Sequence, residues 1–251
     1  MQRVLVTAGA AGIGREIARA FAANGAKVFV CDIDTKALHA LTVEIPGVAT
    51  TVCDVGRRQD IERMVATAAA SLGGLDVLVN NAGIAGPTAP VDAFDPDEWE
   101  SVLQVNLTGA FNVTRCAVPF LKKSPAGVII NMSSVAGRLG YENRSAYAAS
   151  KWGLVGLTKT WSIELGALGI RVNAILPGAV QGERIERVFE SRARLSGLSV
   201  DEVKQAAMAG QSIKRFVDPR DIGALAVFLA SDSGKSISGQ VLPIDNDMQR
   251  A

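Results

Sequence analysis

Short β-branched apolar runs alternate with longer amphipathic stretches from one end of the chain to the other, and this rhythm leaves few folds open. The runs Arg3 to Thr7, Lys27 to Cys31, Val48 to Val52, Val77 to Asn80, Val128 to Asn131, Arg171 to Ile175 and Val241 to Ile244 read as strands. Between them, Gly12 to Asn24, Arg57 to Leu72, Pro96 to Leu121 and Ser145 to Leu168 carry apolar residues at helical spacing. Such alternation builds right-handed βαβ crossovers, so the chain is expected to be α/β, a doubly wound parallel sheet with helices on both faces. Several strands are apolar without alternation, as suits strands covered on both sides. The 251 residues are enough for one such domain, expected to span 1–251. One stretch breaks the rhythm: Gly178 to Lys214 (178–214) lacks a strand and carries Glu183, Arg184, Glu186, Arg187, Arg192 and Arg194 in helical sequence. It reads as an insertion over the carboxyl edge of the sheet, where open α/β folds bind substrates.

Charge and composition narrow the partners. Lys and Arg number 26 against 25 Asp and Glu, which leaves no field to hold nucleic acid or an anionic membrane surface. The expected partner is a small molecule. Hydrophobic residues make up 48% of the chain, but charged residues or Asn interrupt every apolar run before the roughly 20 residues a membrane helix requires. The chain begins without a basic, apolar, cleavable leader, and Cys31, Cys53 and Cys116 show neither a CxxC pair nor metal-ligand spacing. Reduced thiols in a soluble cytoplasmic protein are the expectation. The one histidine, His39, lies in a predicted helix; a single histidine excludes a histidine-built zinc site and argues against a Ser-His-Asp hydrolase. No metal is expected.

The first strand runs directly into Ala8-Gly-Ala-Ala-Gly-Ile-Gly14 and then into a helical stretch. Glycines let a turn approach a pyrophosphate, whose charge the helix N-terminus stabilises, although any tight strand-to-helix connection can use them. Asp32 closes the second strand about 20 residues after the turn, where a carboxylate accepts hydrogen bonds from adenosine ribose hydroxyls. It also repels a 2′-phosphate, and neither Ala10 nor Ala11 offers a cation to hold one, so NAD is favoured over NADP. A solvated strand-end aspartate is the plainer reading, and Arg15 and Arg57 are the cations that weigh against NAD.

Gly12-Ile-Gly14, Asn80-Asn-Ala-Gly83, Asn106, Ser134, Tyr147-Ala-Ala-Ser-Lys151 and Pro177-Gly178 occur in an order and at separations that resemble the short-chain dehydrogenase/reductase family, in its branch of roughly 250 residues. The resemblance covers essentially the whole chain. It implies a seven-stranded Rossmann sheet, a dinucleotide held by Gly9, Gly12, Ile13, Gly14, Asp32, Asp54, Val55, Asn81, Ala82, Gly83, Tyr147, Lys151, Pro177, Gly178 and Val180, and Asn80 to Gly83 stabilising the central sheet. It also implies that helices around 99–121 and 147–168 pack between subunits, commonly in a homotetramer. Two positions depart from the family pattern. Ala8 stands where the turn usually has its first glycine, which predicts a modestly altered turn. Gly182 stands where a threonine often touches the nicotinamide amide, leaving that contact to the Val180 backbone.

Tyr147 and Lys151, four residues apart in a helical stretch, share one face. A nearby ammonium favours the phenolate, which suits Tyr147 to take a proton from an alcohol or return one to a ketone. Ser134 follows the fifth strand and can hydrogen-bond the reacting oxygen; Ser133 is the competing residue, and the family spacing selects Ser134. The resemblance gives Asn106 the role of anchoring a water that relays protons through Lys151. Each residue alone has an ordinary structural reading as a surface pair, a turn cap or a solvated amide.

The expected activity is hydride transfer between NAD(H) and a secondary alcohol or ketone. The alternatives are a 3-oxoacyl-carrier-protein reductase using NADPH and a non-catalytic dinucleotide sensor. Arg138, Arg144, Arg184 and Arg187 are candidate cations for an anionic substrate, although Glu183 and Glu186 alternate with the last two as on an exposed helix. Few aromatics are expected at the site, mainly Phe189 beside the small Ala85 and Gly86, which favours a polar polyol, sugar or hydroxy acid.

Overall fold

The computed structural model describes residues 1–249. Seven strands form one parallel sheet in the order β3-β2-β1-β4-β5-β6-β7: β1 Arg3–Thr7, β2 Lys27–Asp32, β3 Ala49–Val52, β4 Val77–Asn80, β5 Val128–Met132, β6 Arg171–Pro177 and β7 Val241–Ile244. Successive residues point to opposite faces, so each apolar strand feeds two cores. Val4, Val6, Val28, Val30, Val77 and Val79 pack on the side of α1 (Gly12–Ala23) and α9 (Pro219–Ala230). Leu5, Phe29, Leu78 and Ile129 pack on the opposite side against α3 (Arg58–Leu72), α5 (Gly109–Leu121) and α6 (Ser145–Gly166). Side chains as large as Leu5 and Phe21 are fully buried, each contributing about 1.5–3 kcal/mol. The doubly wound sheet read from the sequence is the observed one.

The helix predicted around His39 is present, whereas α9 was not evident in the apolar pattern. In α2 (Thr35–Glu44) only Leu38 and Leu41 are buried, and the Asp34 carboxylate caps it by accepting from the N–H groups of Lys36 and Ala37 at 2.9 and 3.0 Å. Helix α9 starts on Asp218, which accepts from the Arg220 N–H at 2.9 Å, with Pro219 in its first turn.

The stretch read as one helix over Pro96 to Leu121 is broken. Helix α4 (Pro96–Leu103) passes through one π-helical turn, Gln104–Thr108, before α5 begins. The Asn106 side chain anchors that turn: its carbonyl accepts from the Ile84 N–H at 2.7 Å, and its amide donates to the Ile84 carbonyl and the Ser150 hydroxyl, both at 3.0 Å. The insertion at 178–214 forms α7 (Glu183–Ser196) and α8 (Val200–Ala209), joined around Phe189, Ala193 and Val203. Phe189 is 1% exposed and its ring lies 5.7 Å from that of Phe216, so it holds this helical pair together while also lining, with Tyr141 and Tyr147, the cavity described below.

Candidate active site

Winding reverses between β1 and β4, and a crevice opens at the carboxyl ends of those strands. There a cavity of about 1100 Å³ runs from the glycine turn to the first turn of α6 and under α7. Backbone packing shapes its first end. Gly9 lies against β2, where a Cβ would come 2.9 Å from Val30 Cγ1. A Cβ on Gly14 would fall 2.4 Å from the Ala8 carbonyl oxygen and 2.5 Å from Asn81 Nδ2. Asn81 ties the turn to β4: its amide donates to the carbonyls of Thr7 and Ala8 at 3.0 and 2.9 Å, while the N–H groups of Asn81 and Ala82 each donate to Thr7 Oγ1 at 3.0 Å. Ala8 holds the left-handed conformation (φ 48°), so the turn keeps a glycine-like shape without the glycine.

At the other end, Tyr147 and Lys151 stand one turn apart on α6. Lys151 is 3% exposed; its ammonium donates to the Met132 carbonyl at 2.8 Å and lies 5.6 Å from the centre of the Tyr147 ring. Ser134 starts a short turn after β5 and accepts from the Ala136 N–H at 3.2 Å. The Ser133 hydroxyl donates to the Lys151 carbonyl at 2.8 Å, which makes it a brace for α6. Asn106 converges on the same place, since a Cβ on Gly83 would lie 3.1 Å from Asn106 Oδ1 and 3.4 Å from Lys151 Nζ.

A family profile described as enoyl-(acyl carrier protein) reductase matches residues 8–248. The D-beta-hydroxybutyrate dehydrogenase of Cupriavidus necator is 36% identical, over 96% of this chain and 95% of its own length. The chain belongs to the short-chain dehydrogenase/reductase family. A second member, the 3-oxoacyl-[acyl-carrier-protein] reductase FabG of Thermotoga maritima, is 38% identical over 97% of this chain and 96% of its own. The solved structure of an NAD+-bound xylitol dehydrogenase superposes with a TM-score of 0.94 at 30% identity, covering 97% of both chains.

Short-chain dehydrogenases/reductases bind nicotinamide dinucleotides, and the residues present fit one. The tight turn leaves no room for a side chain at Gly14, and the N-cap of α1, Ala11, makes no side-chain cap, so the first N–H groups of the helix are free for a pyrophosphate. Of the residues assigned to this cofactor, Gly12, Ile13, Gly14, Asn81, Gly83, Tyr147, Lys151, Pro177, Gly178 and Val180 line the cavity. Gly9, Asp32, Asp54, Val55 and Ala82 are not among its lining residues. Asp32 joins the turn through one oxygen, which accepts from the Ala10 N–H at 3.1 Å; its other oxygen accepts from Asp34 at 3.2 Å. Asp54 accepts from the Gly56 N–H at 2.8 Å, and Val55 is buried. Arg15 is drawn towards Glu16 and Glu44, at 3.4 and 4.0 Å, and Arg57 towards Asp60 at 3.9 Å.

The electrostatics suit proton transfer. Burial raises the Tyr147 phenol, but the charges of Lys151, Arg184 and Arg144, with the Ser134 hydroxyl, outweigh it and hold the phenol below the usual tyrosine value. Burial pushes the Lys151 ammonium down to about 8. Below that pH Lys151 keeps its charge beside the phenol.

Arg138 does not belong to the site. Its guanidinium binds Asp245 at 2.6 Å and the Met248 carbonyl at 3.0 Å, fixing the stretch after β7. Tyr141 and Arg192 do line the cavity, with the Arg192 guanidinium 4.7 Å from the Tyr141 ring centre; Arg192 comes from the insertion expected over this edge, whereas no local pattern marked Tyr141. No helix among the described residues is long and apolar enough to cross a membrane.

Proposed function

We propose that this chain interconverts a secondary alcohol and its ketone with NAD(H), using Tyr147 as acid/base. The observation that carries this reading is the buried Lys151 ammonium beside the Tyr147 phenol in the wall of a cavity that also contains the glycine turn. The turn, the N-terminus of α1 and Asp32 would hold the dinucleotide. When bound, the nicotinamide supplies the hydride acceptor or donor. Tyr147 takes the hydroxyl proton during oxidation and returns it during reduction. Ser134 hydrogen-bonds the reacting oxygen, and Lys151 favours the phenolate. Asn106 positions the segment after β4 and, as the family resemblance implies, anchors a water for proton relay. Helices α7 and α8 cover the substrate.

Asp32 supports NAD over NADP, because its carboxylate beside Ala10 accepts ribose hydroxyls and repels a 2′-phosphate. Phe111, Trp152 and Ile163, exposed on α5 and α6, support a homotetramer that covers these faces. Three free cysteines suit a cytoplasmic protein. A second reading, reduction of a carrier-linked 3-oxoacyl group with NADPH, is favoured by the Thermotoga maritima relative and opposed by Asp32.

A screen of secondary alcohols, sugar alcohols and hydroxy acids for reduction of NAD and NADP tests the proposal. The expected result is turnover of one of these classes with preference for NAD. Faster oxidation of NADPH with an acetoacetyl thioester than turnover of any free alcohol would replace it with the second reading.

A further inference from the structure

Next to the Tyr147 end of the cavity lies a side chamber of about 360 Å³. Arg144, Arg184 and Arg187 line it with the neutral polar side chains of Thr88 and Ser191, and no Asp or Glu among the described residues does. Arg144 lines both spaces. It directly precedes α6 and is only 2% exposed, an unusual burial for an arginine without a carboxylate partner.

A guanidinium has five N–H donors. Arg144 spends one on the Ala85 carbonyl at 2.8 Å, while its buried Nε has no partner. Its charge centre lies 5.0 Å from the Tyr147 ring centre and 5.9 Å from that of Tyr141. Arg184 adds a second cation 5.9 Å from the Tyr147 ring centre. Among the described residues Arg144 makes no ion pair, whereas Arg187 faces Glu183 at 4.0 Å across an exposed rim. A buried cation with idle donors beside a proton-transfer residue is arranged to receive an anion during turnover.

We infer that the substrate is a short hydroxy acid or oxo acid whose carboxylate enters this chamber and is bound by Arg144, with Arg184 at its mouth. This inference rests on the dehydrogenase reading, because it orients the substrate with its reacting oxygen at Tyr147. Bidentate contact with the guanidinium fixes that orientation in a way a neutral polyol cannot reproduce.

The test compares kcat/KM for 2- and 3-hydroxy acids of three to six carbons with that for their primary amides, isosteric and uncharged, in the wild type, Arg144→Gln, Arg144→Lys and Ser191→Asp. The wild type is expected to prefer the best acid over its amide by about 100-fold, as one charge-assisted pair provides. Arg144→Gln should collapse that ratio to near one and Arg144→Lys should restore part of it. Any loss through the nearby phenol affects acid and amide alike and cancels in the ratio. Ser191→Asp, which puts a negative charge in the chamber wall, should lower the ratio even if the Arg144 variants do not fold. Calorimetric titration of the NADH-loaded wild type with malonate should show binding that weakens at least tenfold in Ser191→Asp. Turnover of neutral alcohols with no preference for acids, or malonate binding indifferent to the substitutions, overturns the inference but leaves the dehydrogenase reading standing. Absence of all alcohol turnover sinks that reading instead, and malonate titration then decides the carboxylate site alone.

Discussion

The Lys151 ammonium stands 5.6 Å from the centre of the Tyr147 ring, with a hydrogen bond to the Met132 carbonyl holding it there. A cation buried one helical turn from a phenol changes the acidity of both groups, and each change has a measurable consequence.

Because the surrounding positive charge overcomes burial at Tyr147, the phenol ionises below the usual tyrosine value. Alcohol oxidation is expected to rise with pH, with kcat/KM reaching its plateau through an apparent pKa below 10. Replacing Lys151 with Met should move residual activity to higher pH by about one to two units, since loss of the ammonium leaves burial less opposed. Superimposable pH profiles for the two proteins would contradict this origin of the acidity.

Lys151 itself destabilises the fold at neutral pH. Its folded-state pKa is about 8 against an ordinary value of 10.5, so the folded protein holds this proton less tightly than the unfolded chain does. The penalty, about 3 kcal/mol, is fully present below the folded value and fades as pH rises to the unfolded value. Lys151→Met should raise Tm at pH 7 by about 4 °C after allowing for the orphaned Met132 carbonyl. Thermal melts from pH 7 to 10.5 should show the gap closing. A gap that is reversed in sign at pH 7, or constant with pH, would contradict the assignment.

Asp32 meets the turn through the Ala10 N–H. Asp32→Asn keeps an acceptor there but removes the charge, so the ratio of kcat/KM with NADP to that with NAD should rise about tenfold or more as repulsion of the 2′-phosphate is lifted. An unchanged ratio would show that another group sets the preference.

Ala8 and Gly14 carry opposite backbone demands. Relieving the left-handed strain at Ala8 by Ala8→Gly should stabilise the protein by about 0.5–1 kcal/mol, read by denaturant unfolding. A methyl at Gly14 would press on the Ala8 carbonyl and Asn81 amide, so Gly14→Ala should cost about 1–3 kcal/mol and weaken NADH binding at least tenfold. If both variants behaved alike, the turn geometry would be wrong.

The strands were legible because residues such as Val4, Leu5 and Val6 are apolar on both faces, a pattern few other environments produce. The family motifs pointed to several residues that line the cavity, among them Gly12, Gly14, Ser134, Tyr147 and Lys151, and to others, such as Asp32 and Asp54, that do not. Helix α2, predicted around His39, left only a faint apolar signal because it buries only Leu38 and Leu41. The break at Asn106 left no mark in apolar spacing, since it is made by hydrogen bonds to Ile84 and Ser150, far away in sequence. Arg138 and Arg144 looked equivalent as cations, yet one is neutralised by Asp245 and the other is buried without a carboxylate partner among the described residues. Only tertiary contacts separate them. For the same reason Tyr141, which the fold brings to 6.4 Å from the Tyr147 ring, could not be placed from its neighbours in the chain.

Tyr147→Phe removes one hydroxyl and leaves the ring to pack against Tyr141 and Arg144. On the best alcohol found by the substrate screen, single-turnover measurement with NAD should show the chemical step slowed by about 10²–10⁴-fold, with NADH still bound by the variant. Wild-type rates in Tyr147→Phe would contradict the assignment of Tyr147 as the acid/base.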